Sequence, residues 1–303
     1  AGFYAAKKLG YYKDVGLDVE IREFNSSINM LENLIKNIST FSISRPSIII
    51  NHKHIEKIKF LAALYQSSPL VFTTIDPNIK TIKDFKDKRI MTSDIQSTNL
   101  IKVMLKAKDV NFNDIILQQP SFNPIDLINK KTDIMSTYIS NEPFILKEKG
   151  VNPIIFNPKD YGFDFYNDIL TVSKEILESN PKMVQKFYQA TLRGYKYAFN
   201  NIEELSKVIL NEYNTQNKSL SALLYEGNSL KKLAHSDDIS FGTIKKYKIE
   251  SMYNMYKVLG FIDKQDNEEV KFDSLIYETT PRKVKKLLKY VEVQVGILKV
   301  KAL

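Results

Sequence analysis

The sequence contains no cysteine. This absence excludes disulfide bonds, cysteine-ligated zinc, iron–sulfur clusters and thiol nucleophiles, although it does not separate an oxidising from a reducing compartment. Histidine is scarce as well, with His52, His54 and His235 as its only copies. His52 and His54 lie two positions apart and would point to different sides of a helix, so they form no metal-binding pair. We therefore expect neither a metal site nor a cofactor.

Long apolar runs are also missing. No segment approaches the roughly 18–20 apolar residues that a membrane helix needs, and Ala1–Leu9 has neither the apolar core nor the cleavage site of a signal peptide. No Ser-His-Asp arrangement, phosphate-binding loop or dinucleotide fingerprint is legible. The sequence therefore predicts a chain that does not insert directly into a membrane and is not an enzyme.

What the chain does contain is enough apolar material for a large core. Its 303 residues are 43% hydrophobic and 26% charged, which suits one large domain or two of ordinary size. The net charge of +9 comes from lysines spread along the chain beside acidic residues, which indicates a solvated basic surface and no nucleic-acid partner. We interpret the densest basic cluster, at Pro281–Tyr290, as a helix that leads toward another domain.

Helices and strands alternate along most of the chain. Phe3–Leu9 shows helical spacing of apolar residues, and Leu17–Ile21 alternates apolar and charged residues as a strand does. The order repeats in two series that reach Tyr65 and Pro158. A last strand at Asp168–Ser173 precedes long amphipathic helices, predicted at 181–213, 220–232 and 243–259. Such an order predicts mainly parallel sheets flanked by helices, with ligands at the carboxyl ends of the strands.

Six segments carry a resemblance to a known family. They are, in order, AGFYAAKKLGYYKDVGLDVEI, ALYQSSPLVF, IKDFKDKRI, TDIMSTYISNEPFIL, the long segment around YGFDFYNDIL, and YNTQ at Tyr213–Gln216. Together they resemble the NMT1/THI5-like family of periplasmic substrate-binding proteins, which is related to thiamine-pyrimidine precursor synthesis and sulfonate uptake. They are most similar to the version found as the sensor domain of bacterial signalling proteins.

The resemblance implies an α/β fold of the two-lobed periplasmic-binding-protein type II, in which each lobe is a mainly parallel sheet flanked by helices. Lobe one would comprise residues 1–66 and 169–280, lobe two residues 67–168, and residues 281–303 a C-terminal tail or linker. A ligand bound in the cleft would favour closure of the lobes. Because family members carry a strand and a polar-aromatic loop ahead of the AGFYAA helix, ligand contacts before Ala1 are also implied.

Candidate ligand contacts in lobe one lie where strands end and helices begin. The first helix would turn Phe3 or Tyr4 toward the cleft, or use both to pack against the sheet. The SRPS segment provides Ser44, Arg45 and Ser47, with Arg45 as a fork-shaped donor to an anion or as a solvent-facing or lobe-bridging residue. Gln66 lies at the first crossing between the lobes and is a further candidate contact.

Lobe two offers two loops of the same kind. In TSDIQST, the side chains of Ser93, Asp94 and Ser97 either cap the following helix or face a ligand. In STYISNEPF, the candidates are Tyr138, Asn141 and Glu142. An amide and a carboxylate together suit the donor and acceptor edge of a flat heterocycle, although Glu142 also fits the role of an acid in the first helical turn.

The second crossing combines aromatic rings with a carboxylate. Phe165, Tyr166 and Asp168 fall in the YGFDFYNDIL segment, and we expect Tyr166 and Asp168 to face the cleft. Aromatic faces beside a carboxylate suit a planar ligand that bears an amine. Packing of the hinge between the lobes is the alternative role for these residues.

These features predict non-catalytic, extracytoplasmic binding of a small planar nitrogen heterocycle of the thiamine-pyrimidine type. A sulfonate or another anion is the alternative, motivated by Arg45. A pyrimidine-precursor synthase is a third reading, but the loop that carries lysine and histidine in that branch reads SISRPSIII here, and the cysteine-rich run is absent. The partner would be an ABC permease or a C-terminally fused kinase or diguanylate cyclase, which would hold the receptor at the membrane from the periplasmic or extracellular side.

The tail beyond the resemblance has a pattern of its own. Val291, Val293 and Val295 alternate with polar residues inside Leu287–Leu303, in the period of a strand. This segment either adds to an open edge of the lobe-one sheet or begins the next domain of a sensor.

Overall fold

The computed structural model describes residues 1–22, 29–50, 55–235, 241–262, 272–277 and 298–302. The first third of the chain forms α1 (Gly2–Lys8), β1 (Leu17–Ile21), α2 (Met30–Ile35), β2 (Phe41–Ser44) and β3 (Ile58–Tyr65). Gly16 has a φ of 74°, a left-handed conformation that suits glycine and turns the chain into β1. The Asn29 side chain accepts a hydrogen bond from Glu32 N and so caps α2.

The middle third forms β4 (Leu70–Thr74), β5 (Arg89–Met91), α3 (Ile95–Lys106), β6 (Ile116–Gln118), α4 (Ile125–Ile128), β7 (Ile134–Tyr138), α5 (Glu142–Glu148) and β8 (Ile154–Phe156). The Arg89 guanidinium binds the Asp133 carboxylate through two hydrogen bonds, of 3.0 and 2.7 Å, and so ties β5 to the start of β7.

The remainder forms β9 (Asn167–Ser173), α6 (Lys174–Ser179), α7 (Pro181–Asn200), α8 (Ile202–Glu212), α9 (Leu220–Ala234), α10 (Lys246–Val258), α11 (Phe272–Leu275) and β10 (Leu298–Ala302). The predicted helix over 181–213 is therefore two helices, which meet at Asn201. The predicted helix after Arg45 is a short 3-10 turn over Pro46–Ile50, and His52 and His54 lie outside the described residues.

The strands form separate sheets, and their directions correct the sequence-based prediction. A three-stranded sheet has the order β2-β9-β3, and both pairings are antiparallel. The prediction of a mainly parallel sheet is wrong here, because β9 returns from the other sheet and runs opposite to both neighbours. The five-stranded sheet, β6-β5-β7-β4-β8, is mixed: β5 runs parallel to its neighbours, whereas β4 runs antiparallel to its own.

The described end of the tail is a strand. β10 pairs antiparallel with β1, with Leu17 opposite Ala302 and Ile21 opposite Leu298, and it also contacts β2. Of the two alternatives for the tail, strand addition therefore applies to Leu298–Ala302. The predicted strand at Val291–Val295 and the basic cluster of the tail lie outside the described residues.

One hydrophobic cluster extends across the two larger sheets. It contains Phe60 of the three-stranded sheet and Phe72 of the five-stranded sheet, together with Phe165, Tyr166 and Met252. All five side chains are at least nine-tenths buried. The two sheets thus share a continuous core on the side of α10. None of the helices in the described ranges combines the length and the apolar character of a membrane span.

The helices α1 and α7 cross at a glycine. A methyl group added at Gly194 would overlap the carbonyl oxygen of Gly2 and lie 2.6 Å from Cβ of Ala6. We expect Gly194→Ala to lower the free energy of unfolding by about 2 kcal/mol, because overpacking of about 3 kcal/mol exceeds the ~1 kcal/mol gain in helix propensity. Chemical denaturation measures the loss, and Lys196→Ala on the exposed side of α7 is the control. A Gly194→Ala variant as stable as the control would contradict the close crossing.

Candidate functional site

Four polar residues from different elements meet between the two larger sheets, and we name them the cleft cluster: Arg45, Asp94, Tyr138 and Asp168. Arg45 follows β2, and its Nη1 donates to Oδ2 of Asp94 at the start of α3, over 3.2 Å. The pair is partly solvated, with side chains 51% and 37% exposed. Burial raises the pKa of Tyr138, which the nearby charges of Arg45 and Asp168 also influence. The sequence-predicted lobe-bridging role of Arg45 is therefore the one the structure displays.

Asp168 is the most unusual member of the cleft cluster. Its φ of 51° lies in the left-handed region, which non-glycine residues adopt at an energetic cost and which often marks functional sites. Asn167 Nδ2 donates to Asp168 Oδ1 over 2.8 Å. Burial raises the pKa of Asp168 to about 6, against the lowering effect of the Arg45 charge. The protein thus holds a half-buried carboxylate, bonded to Asn167, in a fixed position.

Asp94 and Ser97 cap the helix that they precede. Asp94 Oδ1 accepts from Ser97 N over 2.8 Å, and Asp94 N donates to Ser97 Oγ over 3.0 Å, which makes a capping box. Ser93 lies beside them, with its N–H donated to Ser136 Oγ. Capping, one of the two sequence-based alternatives, therefore describes Asp94 and Ser97, and it leaves Asp94 Oδ2 for Arg45.

The STYISNEPF loop is organised by its own carboxylate. Glu142 Oε2 accepts from Tyr138 N over 2.8 Å, and Glu142 Oε1 accepts from Asn141 Nδ2 over 3.2 Å. Glu142 is also the acid in the first turn of α5. These bonds fix the loop and leave the Tyr138 ring 43% exposed at its end.

Two predicted contacts lie in the core instead. Tyr166 is 0% exposed, and its hydroxyl accepts from Lys245 N over 3.0 Å. The Phe165 ring lies 5.1 Å from that of Tyr256 between the sheets. The prediction that Tyr166 faces the cleft is wrong, because this aromatic stretch packs into the core that the two sheets share. Hinge packing, the alternative role, describes both residues.

The remaining candidate contacts from residues 1–66 are mostly buried. Gln66 is 4% exposed, and its Nε2 donates to the carbonyl of Thr243 over 3.0 Å. Ser44 is buried at the end of β2, and no partner for its hydroxyl is found among the described residues. Ser47 lies half-buried in the 3-10 turn that follows Arg45.

A cavity of about 430 Å³ opens among helices α1, α7, α8 and α9, and we name it the helical cavity. Its aromatic lining consists of Phe3, Tyr4, Tyr65, Tyr195, Phe199 and Tyr213. The predicted contacts Phe3 and Tyr4 are therefore both in its wall. Phe3 also packs edge-on against Tyr195, at 5.2 Å between ring centroids, so it serves the core as well. This size is within the ~300–1,000 Å³ that is usual for ligand pockets.

The helical cavity carries few charges. Lys218 Nζ and Glu226 Oε2 form an ion pair of 2.7 Å in its lining. Burial raises the pKa of Tyr65 well above its ordinary value, and the negative charges of Asp168 and Glu226 add to this effect. Tyr65 thus lines the cavity, and the charge of Asp168 acts on its hydroxyl.

Sequence reasoning missed the helical walls of this cavity. Tyr65 ends β3, so the rule that ligands bind at the carboxyl ends of strands could have found it. The YNTQ segment at Tyr213–Gln216, which carries part of the family resemblance, lines the cavity and was the second available signal. Tyr195 and Glu226 lie inside helices, where the rule for strand ends does not apply, although Tyr195 falls in the long segment that carries part of the family resemblance.

The described residues contain no cluster of three or more histidine, cysteine or acidic side chains that could hold a metal ion. His235 ends α9 and packs its ring 5.5 Å from that of Phe199.

Comparison with known proteins identifies the family. Residues 1–205 match the family described as NMT1/THI5 like. The chain belongs to this family. One relative is the formylaminopyrimidine-binding protein of Halalkalibacterium halodurans, 24% identical over 71% of this chain and 67% of its own length. Another is the riboflavin-binding protein RibY of Chloroflexus aurantiacus, 23% identical over 67% of this chain and 60% of its own length. The chain thus spans about two thirds of these curated relatives.

Solved structures show the same fold. The periplasmic aliphatic sulphonate binding protein SsuA of Escherichia coli aligns with a TM-score of 0.67 at 13% identity, over 96% of this chain and 92% of its own. The desulfurization enzyme DSZB also aligns with a TM-score of 0.67, at 12% identity, over 91% of this chain and 92% of its own. At such identities the likeness establishes the periplasmic-binding-protein fold and nothing about ligand or reaction.

Proposed function

We propose that this NMT1/THI5-like protein is a non-catalytic receptor that binds a planar nitrogen heterocycle bearing an amine, outside the cytoplasm. The observation that carries the proposal is Asp168, a half-buried carboxylate with a left-handed backbone, whose pKa burial raises to about 6 and whose charge acts on Tyr65 in the wall of the helical cavity. A ring N–H or an amino group that donates to this carboxylate would replace the solvation that burial removes. Aromatic walls supply the apolar contact for ring faces.

The local balance of charge supports an amine more than an anion. Arg45 is already paired with Asp94, and Lys218 is paired with Glu226. Asp168 adds a further carboxylate near Arg45. An anionic ligand would therefore have to break an existing ion pair and approach unneutralised carboxylates. The names of the two relatives, which bind a formylaminopyrimidine and riboflavin, support the same class of ligand.

Thermal-shift screening tests the ligand class. We expect aminopyrimidines or larger amine-bearing heterocycles to raise the melting temperature in a dose-dependent manner, because a ligand that binds only the folded state stabilises it by mass action. Stabilisation by alkanesulfonates alone would favour the second candidate, a sulfonate receptor that uses Arg45. Arg45→Met discriminates further, since it would abolish sulfonate stabilisation and leave heterocycle stabilisation largely intact.

The domain organisation completes the proposal. Residues 1–66 with 169–280 would move against residues 67–168, and a ligand that touches both parts would shift the population toward a closed form. A transport receptor would deliver the ligand to an ABC permease, and a sensor would pass closure to a fused kinase or diguanylate cyclase. The family membership is compatible with a transport receptor and with a sensor. The neighbouring coding sequence distinguishes the two roles, since it would encode either a permease or a fused output domain.

A synthase that makes a pyrimidine precursor is the less favoured alternative, because the SISRPSIII segment at residues 42–50 offers neither a lysine for a Schiff base nor a histidine. The absorbance of the purified protein mixed with pyridoxal phosphate tests this alternative. We expect no Schiff-base band, and a band that disappears on borohydride reduction would overturn the non-catalytic assignment.

A further inference from the structure

Helix α9 presents two different faces to its surroundings. On one face, four residues at helical spacing line the helical cavity: Leu223, Glu226, Gly227 and Leu230. The described residues that line this cavity all fall within 1–65 and 195–230. A change in the cavity can therefore act on residues 67–168 only through an element that contacts both.

The neighbouring face of α9 contacts α5 and the loop before it, and we name these interactions the α9–α5 contact. The Tyr225 hydroxyl donates to the carbonyl of Ile139 over 3.1 Å, and the Tyr225 ring stacks on that of Phe144 with 4.8 Å between centroids. One turn earlier on α9, Ser221 Oγ donates to Glu148 Oε1 over 3.3 Å. Because the partners are four residues apart on both helices, α9 and α5 run side by side.

The α9–α5 contact also reaches the cleft cluster. Ile139 directly follows Tyr138, so the bond from Tyr225 ties α9 to the loop that carries the Tyr138 ring. Near the other end of α9, the carbonyl of Leu233 accepts from Gln66 N over 2.7 Å, which fastens the helix to the first crossing. Helix α9 thus joins a wall of the helical cavity, the Tyr138 loop and the crossing.

Close packing makes α9 suited to transmit a displacement. A methyl group added at Gly227 would lie 2.7 Å from Cγ2 of Ile202, so α9 sits tightly on α8. Because tightly packed helices deform little, a shift of the cavity face of α9 moves Tyr225 with it.

We infer, on the basis of the proposed function, that Tyr225 is a positioning residue for ligand binding. Tyr225 lies outside the cavity lining, so it acts through α9 and the Tyr138 loop, which it holds in the arrangement that binds the ligand. Ligand binding in the helical cavity and the α9–α5 contact then strengthen each other, because coupling between two sites is reciprocal.

Calorimetry with 4-aminopyrimidine, an amine-bearing heterocycle, tests the inference. Tyr225→Phe removes the hydroxyl bond and retains the stack on Phe144. We expect it to weaken binding about 3–10-fold, because loss of a neutral hydrogen bond lowers the population of the binding arrangement by about this factor. Tyr225→Ala removes the stack as well and should weaken binding by a further factor of about 2–10.

Tyr12→Phe is the matched control. It also loses a hydroxyl bond, which joins Tyr12 to Thr191 Oγ1 over 3.0 Å, but both residues lie outside α9 and outside the cavity lining. We expect the control to lower the free energy of unfolding and to leave binding of 4-aminopyrimidine unchanged. Weaker binding in the Tyr225 variants is then not a consequence of lower stability.

Amide hydrogen exchange tests the α9–α5 contact without a ligand. In the ligand-free protein, Tyr225→Phe should raise exchange in residues 139–144 and in residues 223–230 together, whereas Tyr12→Phe should raise it in neither range. In the natural protein, 4-aminopyrimidine should lower exchange in residues 139–144, and Tyr225→Ala should abolish this protection.

The two measurements separate the positioning role from the receptor function. Unchanged affinity in both Tyr225 variants, or an increase in exchange confined to residues 139–144, would overturn the inference and leave the receptor proposal intact. Failure of 4-aminopyrimidine and of other heterocycles to bind the natural protein would instead overturn the proposed function. The exchange of the ligand-free variants then decides alone whether Tyr225 holds α9 in place.

Discussion

Asp168→Asn is expected to weaken ligand binding and, at the same time, to stabilise the ligand-free protein. The variant loses the charged acceptor for the ligand, which at about 1.5–3 kcal/mol weakens binding by about 10–100-fold. The unliganded protein no longer holds a desolvated carboxylate. With a folded-state pKa of about 6 against about 3.9 when unfolded, the free energy of unfolding at pH 7.5 rises by up to about 3 kcal/mol.

The stability gained by Asp168→Asn depends on pH. Because the folded-state pKa of Asp168 is above its unfolded value, the folded protein binds the proton more tightly. In the natural protein, ionisation of Asp168 therefore lowers the free energy of unfolding as pH rises from about 4 to about 6. The free energy of unfolding stays lower at every pH above that range. Asp168→Asn lacks this decrease, so its stability advantage should be larger at pH 7.5 than at pH 4.5. Urea denaturation at the two pH values measures the difference.

The backbone makes asparagine the appropriate replacement. Asparagine tolerates the left-handed conformation as aspartate does, so the variant tests the charge without adding strain. Asp87→Asn is a matched control, because Asp87 has a φ of 59° but is exposed. It should change neither binding nor the pH profile of stability. An Asp168→Asn variant that is less stable than the natural protein at pH 7.5 would contradict a desolvated carboxylate.

Lys248→Met is expected to cost about 2–4 kcal/mol of unfolding free energy. Lys248 Nζ donates to the carbonyl of Gln66 over 2.5 Å and to Asp164 Oδ2 over 2.6 Å, and it lies 4.8 Å from the ring centroid of Tyr166. The Lys248 and Asp164 side chains are only 14% and 29% exposed. Removal of the ammonium leaves a largely buried carboxylate and a carbonyl unpaired, which is more costly than the loss of a solvated pair.

The exposed pair Lys207–Glu203 serves as the control for this variant. Its atoms lie 2.7 Å apart, but the side chains are 55% and 72% exposed, so Lys207→Met should cost about 0.5 kcal/mol or less. Chemical denaturation compares the two variants. Lys248 bonds to Gln66 and to Asp164, and these two residues lie on the two chain crossings between the sheets. Its loss should therefore loosen both crossings, and amide exchange around Gln66 should increase. Equal small costs for the two variants would show that Lys248 is not a structural clamp.

The sequence predicted most strands well, because strand formation here follows from local apolar runs. The apolar run from Ile58 to Tyr65 predicts a strand, and β3 spans the same residues. The run from Pro69 to Thr74 predicts a strand as well, and β4 begins one residue later, at Leu70. Local apolar patterns could not predict the direction of the strands. The antiparallel pairing of β9 with β2 depends on a chain that leaves one sheet, builds another and returns, and no local pattern encodes that path.

The site was predictable where it depends on strand ends. Arg45, Asp94 and Asp168 were named from sequence because each lies at the junction of a strand and a loop or helix, and the structure brings them together. Tyr166 was misplaced, since the depth at which an aromatic ring is buried depends on tertiary neighbours such as Met252. The helical cavity was missed for the same reason, because its walls come from helices that are distant in sequence.

The most direct test of the central claim is isothermal titration calorimetry of the natural protein and of Asp168→Asn, with an amine-bearing heterocycle and an alkanesulfonate as separate titrants. We predict saturable binding of the heterocycle at one site in the natural protein, at least 10-fold weaker binding in Asp168→Asn, and no heat of binding from the sulfonate. Saturable sulfonate binding that Asp168→Asn preserves or strengthens, without heterocycle binding, would contradict the account.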